Sequence, residues 1–273
     1  MAATADSIRL NLTPMLRYIL RIADTALIHA QRLGEWAGHG PVLEEDIALT
    51  NMALDLLGQA RALLTHVAQL EGQGRAQPFS EDQLAFLRDD AQFLNLTLVE
   101  QPMRRGSAHS PGGDFADTVL RNFLLATWFK LAWQRLATSS DAQLAAIAGK
   151  AVKEARYHQQ HAGDWVVRLG DGTEESARRM ATAVERAWPY TAEMFQRDAV
   201  DAEAEASGLG PARDALAADW QREVAAVFNE AGLSLPAASP FVSTGTLGRH
   251  SEHMGFILAE MQSLQRAHPG GRW

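Results

Sequence analysis

Leu49, Ala53, Leu56, Ala60, Leu63, Val67 and Leu70 recur at alternating intervals of four and three residues without a break. That spacing puts all seven on one face of an α-helix and is the pattern of close antiparallel or supercoiled packing. A strand has no use for it, because its side chains alternate with period two. A second seam, Leu144, Ala148, Ala151, Ala155, His158, Ala162, Trp165 and Leu169, repeats the spacing nearly a hundred residues later. Two such seams in one chain commit it to helices packed lengthwise.

The punctuation agrees. Thr13-Pro14 supplies an N-cap and a proline at the first helical position of a helix expected to run to Gly38. Its inner face is apolar at 16, 19, 20, 23, 27 and 30, while Tyr18, Ile22 and Ile28 make other faces apolar too, so it is buried on several sides. Gly40-Pro41 breaks the chain, and Glu44, Glu45 and Asp46 open the helix of the first seam, where carboxylates favour the N-terminal dipole. Ser80 to Gln83 reads as a capping box with Phe79 as a staple. Phe93–Val99 is the one stretch with an extended look, and 101–113, with its prolines and glycines, is a loop. Helices follow from Asp114 to Ala137, after Ser140 with Gln143 as its cap, and from Thr173 to a bend near Pro189. Residues 201–211 read as an acidic, then glycine-rich connection, followed by a helix to Glu230, a loop over 233–246 and a last helix over 248–268. The expectation is an all-α protein: one helical bundle with additional peripheral helices, residues 1–273 forming a single domain with no dividing linker.

Composition removes several functions. The formal net charge of −8 leaves no basic stripe for nucleic acid. With no cysteine there is no disulfide, thiolate nucleophile or cysteine-ligated cluster. The most apolar run, 123–133, is short and interrupted by Lys130, and residues 1–15 show no secretory leader, so the expected location is cytoplasmic. No phosphate loop, dinucleotide fingerprint, Gly-x-Ser-x-Gly elbow or His-Glu-x-x-His occurs.

Long four-helix bundles often hold two irons, using one glutamate from each of two helices and a Glu-x-x-His pair from each of the others. Residues three apart share a helix face, so this spacing can be searched for directly. No glutamate or aspartate here has a histidine three positions later. Fragments remain. Glu154 is followed by Tyr157 and His158, with His161 a further turn on; Asp55 is followed by Gly58; Glu35 and His39 lie four apart. The functional reading makes Glu35, Asp55, Glu154, His158 and His161 a vestigial polar cluster. The plainer one makes His158 a buried, hydrogen-bonded histidine, pairs Asp55 with Arg61 or another cation at a surface or interface, and uses His39 as a C-terminal cap. His250 and His253, at the start of the last helix, read as an exposed cluster or one that meets another subunit, and Ile22 and Ile28 as further contacts to a partner.

The runs 23–28 and 32–36, Leu43 to Ala60-Arg61, Glu100-Gln101-Pro102, Gly113 to Ala116, Lys153 to His158, Trp165 to Gly172, Trp188-Pro189-Tyr190 and Gly248 to Gln265 resemble those of the structural C subunits of phenylacetyl-CoA epoxidases, also called phenylacetate-CoA oxygenases. The resemblance spans nearly the whole chain, with an unusually long junction at Met103–Gly112. It implies a ferritin-like fold and a homologous catalytic subunit that carries the di-iron centre. It also implies a complex that inserts one oxygen atom into the ring of phenylacetyl-CoA, with electrons from NADPH passed on by a reductase subunit. In such a chain the ligands are lost, Gly58 and Tyr157 standing where histidines would follow Asp55 and Glu154. On that reading this chain has no catalytic, cofactor-binding or metal-binding residues of its own. Two alternatives stay open: a di-iron oxygenase with the unorthodox ligands Glu35, Asp55, Glu154 and His158, or a free-standing helical acyl-CoA-binding protein.

Overall fold

The computed structural model describes residues 6–102 and 114–271. Four long helices make the bundle: α1 (Pro14–Gly34), α2 (Leu43–Glu71), α4 (Phe115–Leu136) and α5 (Ala142–Gly170), with the short α3 (Glu81–Phe86) after α2. Around them lie α6 (Glu174–Ala187), α7 (Ala199–Ala206), α8 (Ala217–Glu230) and α9 (Glu252–Ala267), joined by short 3₁₀ turns. Among the described residues there is no strand, only two isolated bridges. The fold is a ferritin-like bundle.

The caps are those the sequence prescribes, with one shift. Thr13 accepts from the Leu16 N–H, and Ser80 and Gln83 form the capping box of α3. For α5 the cap is Asp141, not Ser140: the Asp141 carboxylate accepts from the Leu144 N–H at 2.8 Å. A carboxylate at that position outdoes a hydroxyl, because it meets the helix dipole as well as the free N–H. The run 201–211 is half helix, since Asp198 and Asp201 form a reciprocal cap that starts α7. In Phe93–Val99 the backbone is extended at Phe93 and Leu96 but pairs into no strand, and a 3₁₀ turn takes over at Thr97–Glu100. α1 stops at Gly34 rather than Gly38.

Within the bundle α1 pairs with α2, α4 with α5, and α2 with α5. The two seams are its interior: Leu49, Leu56, Ala60, Leu63 and Val67 face Leu144, Ala148, Ala151, Ala155 and Ala162, all buried. The rest of the chain wraps one side. α7 and α9 pack on α1, α6 and α8 on α4 and α5, and α3 covers only one end of α2. This decides the fate of the helix expected to be bare. Ile22 is 4% and Ile28 0% exposed within this chain, Ile22 lying beside Trp128 and Ala132 of α4 and beside Pro211 and Leu216, so neither is available to another subunit. The excess apolar surface of α1 is satisfied from within. Among the described residues Ile47, Leu54 and Tyr157 remain exposed on α2 and α5, Leu54 at 59%, and Phe256 and Leu264 on α9. No described helix is long and apolar enough to cross a membrane. The segment 103–113, with the long junction noted above, lies outside the described residues.

Candidate functional site at the bundle centre

Three polar contacts cross between α2 and α5, in antiparallel order. Gln59 Nε2 donates to Glu154 at 2.9 Å, His158 Nε2 lies 3.0 Å from Asp55 Oδ2, and His161 Nε2 lies 3.0 Å from Glu45 Oε2 without the alignment of a hydrogen bond. Of the five residues the sequence grouped, the structure places Asp55, Glu154, His158 and His161 in this row of separate pairs. Sequence reasoning missed the partners Gln59 and Glu45. Asp55 meets His158, and Arg61 reaches Glu81. Glu35 does not join the group; it caps the end of α1 in an ion pair with Arg32. His39 folds back on the carbonyl of Ala37, 3.0 Å away.

Deeper in, the centre is built from residues that sequence reasoning passed over. His29 of α1 is fully buried, and its Nε2 lies 3.1 Å from the Asn122 carbonyl oxygen of α4. The Asn122 amide in turn donates to Met52 Sδ of α2 at 3.1 Å. His29 Nδ1 has no partner. Burial, only partly offset by the Asn122 hydrogen bond and aided by repulsion from Arg121 and His158, pulls the His29 pKa down to about 3, so the ring is neutral. A histidine among Ile, Ala and Leu looks like any other core position, and only its Asn122 partner, 93 residues away, marks it out.

Helical phase corrects the ligand correspondence drawn from the resemblance. Gly58 lies on the outer side of α2, where an added Cβ would meet nothing within 4 Å, and Tyr157 is 54% exposed. Histidines at 58 and 157 would face outward. The pairs spaced by three that do face inward are Leu56 with Gln59 and Ala155 with His158, all four buried. A di-iron site needs hard, charged oxygen donors converging on the centre. Here the inward set is His29, Met52, Leu56, Gln59, Asn122, Ala155 and His158. It holds two imidazoles and no carboxylate, and the nearest carboxylates, Asp55 and Glu154, sit at the α2/α5 margin. Among the described residues no group of three or more metal-ligating side chains converges. The residues do not fit a di-iron centre.

The histidines of the last helix also differ from expectation. His250 is not at the surface: its Nδ1 lies 2.7 Å from Glu100 Oε1 and its Nε2 3.0 Å from the Phe93 carbonyl, with 5% of the side chain exposed. Burial works against its charge, but the Glu100 hydrogen bond and charge and the Phe93 carbonyl outweigh it, and the pKa is raised. The apolar run that places Phe93 and Glu100 beside residue 250 is 150 residues away, which no local pattern reveals. His253 is half-buried.

Among the solved structures that share the architecture is a Synechococcus protein described as having aldehyde deformylating oxidase activity, 16% identical, TM-score 0.51, over 81% of this chain and 88% of that one. At that identity the likeness concerns the fold alone. The chain is also 46% identical over 256 residues, 94% of its length and 98% of the relative's, to the C subunit of the 1,2-phenylacetyl-CoA epoxidase of Escherichia coli strain K12. The model of the family described as phenylacetic acid catabolic protein matches residues 1–273. A bundle of this topology, matched end to end by that model and by so close a relative, belongs to the phenylacetic acid catabolic protein family.

Proposed function

We propose that this chain is a structural, non-catalytic subunit of a phenylacetyl-CoA ring-epoxidising monooxygenase, working in the cytoplasm. It pairs there with a homologous subunit that carries the di-iron centre, while a reductase subunit draws on NADPH. The observation that carries this reading is the donor set at the centre: where a di-iron protein needs several carboxylates, this chain turns His29, Asn122, Met52 and Leu56 inward. The relative's description as one subunit of an epoxidase supports a heteromer. The surface we assign to the partner is the α2/α5 side, where Ile47, Leu54 and Tyr157 are exposed beside the polar row between the two helices, since exposed apolar patches mark interaction sites.

Two measurements on one preparation test this. The chain purified from iron-supplemented cells is expected to hold no stoichiometric iron, and two irons per chain would end the structural reading in favour of an oxygenase with unorthodox ligands. Co-expressed with the other subunits, the wild type is expected to co-purify with the catalytic one. Leu54→Glu should abolish that while leaving thermal unfolding of the isolated chain within about 0.5 kcal/mol of wild type. A chain that stays alone beside those subunits would favour a free-standing binding protein.

A further inference from the structure

A buried guanidinium needs an anion, because the cost of taking its charge out of water is offset only by an opposite charge and well-placed acceptors. Five arginines are buried among the described residues: Arg21, Arg32, Arg88, Arg121 and Arg213. Four meet carboxylates. Arg21 holds Asp198 and Asp201, Arg32 holds Glu35, Arg88 holds Asp24, and Arg213 holds Asp201. Arg121, 4% exposed, makes no ion pair among the described residues. Its Nη1 donates to the Gln101 carbonyl and its Nη2 to the Pro102 carbonyl at 3.1 Å, and its Nε–H has no partner.

The nearby acids are already engaged. Asp117, one turn earlier on α4, accepts from the Asp114 N–H at 2.9 Å and from Arg186 at 3.3 Å, and Glu35 is taken by Arg32. The charges acting on Arg121 are those two acids, Tyr190 and the like charge of Arg32. Burial first, and repulsion from Arg32 second, lower its pKa to about 10, which still leaves it charged at neutral pH. Two more buried donors on the flanking residues lack partners: Gln101 Nε2, on the residue whose carbonyl Arg121 holds, and Trp36 Nε1, one turn beyond Arg32. Both are donors, and so is the free position of Arg121. Residues 103–113, outside the described residues, include no aspartate or glutamate.

We propose that Arg121, together with the amide of Gln101, is a binding site for an oxyanion, a carboxylate or phosphate group that accepts from the Arg121 Nε–H. The fork geometry of a guanidinium suits that class of ligand better than it suits a halide. The group comes either from a small free anion or from a carboxylate of a partner subunit, and the two sources separate experimentally.

The full-length chain is titrated with sodium phosphate, and separately with sodium acetate, against sodium chloride at matched ionic strength. The readouts are the thermal midpoint and the Arg121 Nε–H resonance in ¹⁵N-labelled protein. Phosphate or acetate should raise the midpoint saturably by several degrees and shift that resonance, with chloride doing neither. Arg121→Gln should lose the rise with helix content kept, and Arg121→Lys should weaken the apparent affinity at least about tenfold. If Arg121→Gln does not fold, the resonance in the wild type decides alone. No saturable response to either anion, or the same response in Arg121→Gln, overturns the proposal. Repeating the titration on the chain co-purified with the other subunits assigns the source. A response that persists there means a free anion, and one present only in the isolated chain means a partner's carboxylate occupies the site.

Discussion

The bundle centre and the loop-built side of the molecule both bury polar groups, but they satisfy them in opposite ways. On the loop side, carboxylates are caged. Glu193 accepts from the Thr97 and Thr246 N–H groups at 3.0 and 2.7 Å and from the Ser243 hydroxyl at 2.7 Å. Glu100 accepts from Asn95, Ser251 and His250, and Asp24 pairs with Arg88 and takes the Leu94 N–H at 2.9 Å. At its deepest point the bundle has a neutral chain of contacts, His29 to Asn122 to Met52, with a nitrogen left over, and carboxylates enter only at the α2/α5 margin, where Asp55 meets His158 and Glu154 meets Gln59. The difference has a physical cause. Helices satisfy their own backbone, so a bundle core needs no polar side chains to stand. Segments 88–102, 188–198 and 240–251 hold only 3₁₀ turns and irregular chain, with residues 93–100 wholly buried, so the N–H groups that no helix satisfies must find acceptors elsewhere. Charge here serves the irregular chain, while the bundle centre keeps polar groups that its packing does not require.

The largest effect that could undo that contrast lies at Arg88. With both partners fully buried, Arg88→Met strands the Asp24 carboxylate and should cost about 3–5 kcal/mol in denaturant unfolding. A loss below about 1 kcal/mol would show that the loop side does not depend on its charges.

The second test uses pH, since the two buried histidines have opposite signs. An unfolded histidine titrates near 6.5. His29, held down near 3, lets the unfolded chain bind a proton that the folded one refuses. Its cost grows as pH falls below about 6.5, by up to about 1.4 kcal/mol per pH unit, and vanishes above it. His250, raised by Glu100, contributes stability that is complete below about 6.5 and is lost as pH rises through its folded value. The pair substitution His29→Leu with Asn122→Leu should therefore be nearly neutral at pH 7, because both partners of one hydrogen bond go together. It should gain on wild type steadily from about pH 6.5 to about 4.5. His250→Gln should instead lose most against wild type at acidic pH and least at alkaline pH. Parallel curves for the two variants would erase the distinction between the regions.

A smaller effect is expected at the bundle margin. Gly58 sits mid-helix on the outer side of α2 with open space at its Cβ. Gly58→Ala should stabilise the isolated chain by about 0.5–1 kcal/mol, read as a shift in denaturation midpoint. No gain would mean the position is not the simple exposed helix site described.

Local sequence was enough for the elements and their inner faces. Thr13-Pro14, the Ser80–Gln83 box and the two four-three seams act within a turn or two, so the information lies in neighbouring residues, and α1, α2, α3 and α5 begin within a residue or two of where these signals put them. The absence of any acid three residues before a histidine is likewise a fact of spacing alone. What covers what was settled only by the packing of distant segments. Ile22 and Ile28 look like spare apolar surface until the rest of the chain packs against α1, and His250 looks like a surface residue until Glu100 arrives from 150 positions away. Packing settled helical phase as well, turning Gln59 and His158 inward and Gly58 and Tyr157 outward, because a three-residue offset names a face without saying which way that face points. Burial, pairing and the stranded charge of Arg121 are properties of where distant segments meet, and no local pattern encodes the meeting.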